Sequence, residues 1–145
     1  MPNCTCYAWG RYAEVAAHGN LANLTDGLNA ARGLCTGNAS RWFTAAKNSS
    51  KFQGKVKTAQ EFNDDPDKMK YRGSIMVWSG GDSGCGHVAV VEDIDITSSN
   101  YIIRCSQSNY SARKPDGLPY FCISERTKRA GYNIGHNFHF EGFIL

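Results

Sequence analysis

The sequence predicts an α+β fold in which helices come first and an antiparallel run of about five strands follows. Three observations carry this. The stretch CTCYAWGRYAEVAAHG places Tyr7, Ala8, Trp9, Tyr12, Ala13 and Val15 at helical spacing. From Gly73 the apolar period changes to that of strands. Glycine- and proline-bearing turns then separate the strand segments, so helices and strands are segregated along the chain.

Pro2 and Asn3 are start signals for the first helix, and Gly19–Asn20 is a stop signal. Residues 21–38, rich in Gly, Asn and Ala, read as a loop with at most a short helical turn. GNASRWFTAAKNSS reads as a short helix capped by Asn38 or Ser40, with Trp42, Phe43, Ala45 and Ala46 inward. Residues 48–58 are polar and expected on the surface. FNDDPDKMKYRG reads as a charged loop around Pro66; its Asp64, Asp65 and Asp67 lack the spacing of a calcium loop. SIMVW (74–78) is a buried strand, GGDSGCG a glycine-rich turn, and HVAVVEDIDI the second arm of the hairpin. NYIIRCSQSNYS is a third strand, RKPDGLP a turn, PYFCIS a fourth strand and NFHFEGFIL a fifth.

A chain of 145 residues with 41% apolar content is expected to form one domain with its own core. It has no apolar run long enough for a membrane span and no secretory leader pattern. A net charge of +3 without a basic stripe argues against a nucleic-acid partner. Cysteines stand at 4, 6, 35, 85, 105 and 122. A core of this size needs no disulfide staples, and there is no C-x-x-C for zinc. Most of them therefore read as small buried hydrophobes.

Two residues stand out chemically. Cys4 opens the first helix, where the macrodipole is expected to lower the thiol pKa and favour the nucleophilic thiolate. His87 opens a strand directly after a glycine-rich turn, placed to face a cleft. Gln107 and Asn109 share one face of the third strand, because residues two apart on a strand point the same way. An amide oxygen there, accepting from the imidazole Nδ1–H, is expected to leave Nε2 facing the sulfur, the logic of a Cys-His-Asn arrangement.

NCTCYAWGR, GNASRWF, RGSIMVWSGG with GHVAVVEDID, and SQSNYS, in this order, resemble the CHAP family. These are the cysteine, histidine-dependent amidohydrolase/peptidase domains of bacterial and phage cell-wall lysins. The resemblance implies a papain-like fold, with N-terminal helices packed on the antiparallel sheet. It implies a peptidoglycan hydrolase, an amidase or endopeptidase, cutting an amide bond through a thioester. Cys4 matches the nucleophile and His87 the base. Asn109 keeps the family's Glu-x-Asn motif, whereas Gln107 replaces its glutamate with a neutral amide. Asn3, or the Cys4 backbone N–H, matches the oxyanion hole. Cys6 falls where relatives often have tryptophan and is expected to be a packing residue. The calcium loop that some relatives carry ahead of the cysteine is not expected here.

The implied partner is bacterial peptidoglycan on the outer side of the cell, with no membrane or nucleic acid, no metal and no cofactor. Residues 1–145 are expected to act as one monomeric catalytic domain, cut from a longer lysin with a separate wall-binding domain. Two other readings compete. One is a non-catalytic wall-binding module using Trp9, Trp42, Trp78, Tyr101 and Tyr110, though these sit in apolar runs that suit a core. The other is a cysteine peptidase acting on proteins. The GDSG at 81–84 with His18 mimics a trypsin-like protease, but that fold needs a far longer chain. Cys85, two residues from His87, is expected to point away from it.

Overall fold

The computed structural model describes residues 4–34, 37–98, 100–113 and 119–145, with side chains left out for 109–113, 119 and 120. The first helix, α1, runs Cys4–Ala16 and buries Tyr7, Ala8, Tyr12 and Ala13. It ends in a left-handed turn in which the Gly19 N–H donates to the Glu14 carbonyl at 3.0 Å.

The segment 21–38, expected as a loop, instead holds a second helix, α2, Leu24–Ala31, within its described residues. Its glycine serves a contact rather than a turn. A Cβ at Gly27 would lie 2.2 Å from the Ala13 carbonyl oxygen, so α2 approaches α1 only because that side chain is missing. The short helix α3, Trp42–Lys47, follows with Trp42 and Ala46 buried. Asn38 makes no side-chain capping bond at the turn that leads into it.

Residues 48–58 are less exposed than expected, because Phe52 is fully buried and Val56–Lys57 form an edge strand, β1. The charged segment after it begins inside a helix, α4, Ala59–Asp64, started by a capping box between Thr58 and Glu61. Its Phe62 and the later Tyr71 are fully buried.

Strands β2 (Ile75–Gly80), β3 (His87–Ile96), β4 (Tyr101–Arg113), β5 (Pro119–Thr127) and β6 (Phe138–Ile144) complete the fold. The sheet is antiparallel and has six strands rather than five, in the order β1-β6-β2-β3-β4-β5. The fold is thus α+β, with helices at the N-terminal end and a curled sheet.

Both faces of the sheet are covered, which explains the continuous apolar run at the start of β3. Val88 and Val90 face the helices, beside Ile75, Val77, Ala8, Tyr12 and Trp42. Ala89 and Val91 face an aromatic cluster built on Trp78, Phe62, Tyr71, Tyr132 and Phe143. The expected core roles of Trp42 and Trp78 hold, with both side chains fully buried. No described helix is long and apolar enough to cross a membrane.

Candidate active site

Cys4 is the first residue of α1, half-buried and packed against the helix-side cluster. The first N–H groups of a helix have no intrahelical acceptor. Those of Cys4 and Thr5, together with the Val88 N–H of β3, act on the sulfur and favour the thiolate. Burial outweighs them and pushes the Cys4 thiol up, with a smaller push from the neighbouring Cys6. The expected lowering is therefore overturned: desolvation of the anion exceeds the help of three backbone donors.

The Val88 contact brings the sulfur to the peptide that follows His87. His87 opens β3 opposite Trp78, with the two ring centroids 6.0 Å apart. The turn before it forces this placement. Gly86 has φ +72°, and a Cβ there would lie 2.4 Å from the Trp78 carbonyl oxygen and 2.6 Å from the Ser40 nitrogen. Only glycine lets the chain pass between those two groups and enter β3 at His87.

The imidazole Nε2 lies 2.6 Å from Gln107 Oε1. This reverses the expected use of the ring. Gln107 comes up from the neighbouring strand and meets Nε2 instead of Nδ1. Gln107 is itself buried, and its Nε2 donates to Ser124 Oγ at 3.1 Å and Cys122 Sγ at 3.5 Å, both on β5. Burial, chiefly, holds the His87 pKa below its ordinary 6.5; the Arg126 charge adds to this and the Gln107 bond opposes it. Burial thus favours the neutral forms of both thiol and imidazole.

Of the other expected site residues, Asn3 and the side chain of Asn109 lie outside the described residues; the Asn109 backbone pairs with Tyr120 in the β4–β5 ladder. Cys6 is not a packing residue: it is exposed and lines a pocket of about 210 Å³ with Thr5, Trp9 and Trp42. Nor are most cysteines buried. Of the five described, only Cys105 is fully buried, and Cys85 is exposed on the turn. Helix positions 4 and 8 face the sheet, so position 6 faces outward. His18 lies in the turn after α1 and GDSG in the β2–β3 turn, so the protease-like words serve as chain reversals. No group of three or more metal-ligating side chains occurs among the described residues.

Sequence reasoning missed Ser124, Cys122 and Arg126. The available signal was the alternation of β5, which turns 122, 124 and 126 to the side of Gln107 and Cys105.

The arrangement is that of a thiol at a helix start against the first peptide of β3, and an imidazole held by a side-chain amide at the start of that strand, on an α+β scaffold. A model of the CHAP domain matches residues 1–109, more than half of the chain, and the chain belongs to the CHAP family. CHAP domains are in general cysteine- and histidine-dependent amidohydrolases or peptidases of peptidoglycan. No curated protein and no solved structure matches the chain.

Proposed function

We propose that this chain is a peptidoglycan hydrolase that cleaves a cell-wall amide bond with Cys4 as nucleophile and His87 as general base and acid. The observation that carries the reading is the meeting of a helix-start sulfur with the first peptide of β3, where the His87 ring is held at Nε2 by Gln107.

The chemistry follows from the neutral resting pair. As the Cys4 sulfur attacks the amide carbon, its proton passes to His87 Nδ1. The carbonyl oxygen gains the negative charge, steadied by the helix-start N–H of Cys4 and, by family match, the Asn3 amide. The imidazolium then gives its proton to the leaving amine, the C–N bond breaks, and a thioester remains. Water adds with neutral His87 as base, releasing the carboxylic acid and restoring the thiol. Proton transfer of this kind is worth about 10²–10⁴-fold. A neutral Gln107 orients the imidazolium but brings no charge to stabilise it. Asn109, which keeps the family's motif, is the second candidate for orienting His87.

Purified peptidoglycan incubated with the protein is expected to show new amino termini by mass spectrometry, and their identity names the bond cut. Cys4→Ala is expected to abolish their release with the thermal transition unchanged within a few degrees. A folded Cys4→Ala protein that still releases them overturns the assignment.

A further inference from the structure

We propose that Ser124, with Cys105 behind it, is a positioning residue that selects the His87 tautomer able to accept the sulfur's proton. The inference rests on the reading of His87 as the base.

The need for such a residue comes from Gln107. A carboxylate presents two equivalent acceptor oxygens, whereas an amide has one accepting and one donating end. If the amide turned over, its NH₂ would meet His87 Nε2, and Nε2 would have to carry the lone pair. The ring proton would then sit on Nδ1, the nitrogen that must take the sulfur's proton, and the base would be unable to act. Something must hold the Gln107 oxygen toward the ring.

The hydrogen bonds behind Gln107 have a direction, and its origin is a backbone carbonyl. Cys105 is fully buried, and its thiol lies 3.6 Å from the Ser124 carbonyl oxygen and 3.4 Å from Ser124 Oγ. A thiol has one proton, and a carbonyl can only accept. The Cys105 S–H therefore donates to the Ser124 carbonyl, and the Ser124 hydroxyl donates to the Cys105 sulfur. That leaves Ser124 Oγ as an acceptor for the Gln107 Nε2–H at 3.1 Å, with Cys122 Sγ accepting the amide's other hydrogen at 3.5 Å. Gln107 Oε1 then accepts from the His87 Nε2–H at 2.6 Å, and the lone pair is left on Nδ1, the nitrogen to which the catalytic reading gives the Cys4 proton. Sulfur is a weak partner in such bonds, so Ser124 carries more of the bias than Cys105 or Cys122. Arg126, on the same face, adds charge near the ring but accepts nothing and cannot reverse the direction.

Two measurements test this on the folded protein. The ¹⁵N spectrum of His87 at neutral pH is expected to show a protonated Nε2 and a bare Nδ1, and Ser124→Ala is expected to populate the other tautomer. In assays on purified peptidoglycan, Ser124→Ala is expected to lower kcat about tenfold at unchanged KM, the factor of one lost hydrogen bond. Ser124→Thr, which keeps the hydroxyl, is expected to restore it. In a Gln107→Glu background a carboxylate has no wrong way round, so Ser124→Ala is expected to cost less than about twofold. An unchanged ¹⁵N spectrum in Ser124→Ala, or the same kcat loss in both backgrounds, overturns the proposal. An active Cys4→Ala protein instead overturns the catalytic reading, and the spectrum then still decides the tautomer.

Discussion

Cys4 and His87 are held by different materials. On the helix face, Cys4 rests among apolar side chains, and the groups that act on its sulfur are backbone N–H donors. His87, the first residue of β3, instead meets a run of polar side chains from β4 and β5: Gln107, then Ser124 and Cys122. The proposed nucleophile is thus placed by packing and main chain, the proposed base by side-chain hydrogen bonds. Packing fixes where an atom is. Only directed hydrogen bonds fix which atom carries a proton, and the base is the partner for which that matters.

Substitutions in the two sets of supports are therefore expected to fail differently. His87→Ala is expected to have the largest effect, a loss of roughly 10³-fold or more in kcat/KM, with little change in urea midpoint. A collapse in stability instead would break the division. Trp42→Ala, on the helix face, is expected to do the reverse. It removes a side chain only 1% exposed and should cost about 3–5 kcal/mol in urea unfolding, while any protein that remains folded keeps its pH profile.

A smaller effect is expected at Glu92, which ties α1 to the sheet. Arg11 donates to its two oxygens at 2.9 and 2.7 Å, and Ser106 Oγ donates at 2.5 Å. Glu92→Gln should cost about 1–2 kcal/mol, less than a fully buried pair, because both side chains keep about a quarter of their surface in water. Arg11 holds the Glu92 carboxyl below its ordinary 4.5. The unfolded chain therefore takes up the proton first as pH falls, and this part of the stability is full above about 4.5 and lost below it. The difference between wild type and Glu92→Gln should shrink in acid, as urea curves at pH 6 and pH 3.5 would show.

The subtlest expected effect is in the acid limb of activity. Burial holds the His87 pKa below 6.5, so the proton-accepting form survives into mild acid and the limb should have its midpoint below that value. Gln107→Glu, which supplies a charge for the imidazolium, should move the midpoint upward. A pH–rate profile of kcat/KM reads both.

Much of this was legible in the chain. The alternation and turn signals around GGDSGCG placed His87 at a strand start, and Pro2–Asn3 with the helical spacing placed Cys4 at a helix start. The same periodicity put Gln107 on the side that meets the ring. What was not legible has physical reasons. Gly27 looks like a loop residue until the Ala13 carbonyl it must clear is known. The T-x-x-E of Thr58–Glu61 was a readable helix start, hidden by the acidic residues after it. The direction of the thiol's pKa shift depends on burial, which no local pattern reports. The choice between ring nitrogens depends on which strand lies beside β3.

The placement of β6 carries one more consequence. Residue 144 pairs with residues 56 and 75, so β6 sits second in the sheet, wedged between neighbours made long before it. Such distant pairing is slow to close. While the ribosome is still short of Phe138, β2 has one bare edge, and the hairpin bearing the imidazole has no floor beneath it. A CHAP domain assembled this way is expected to stay silent until β6 slides into its slot.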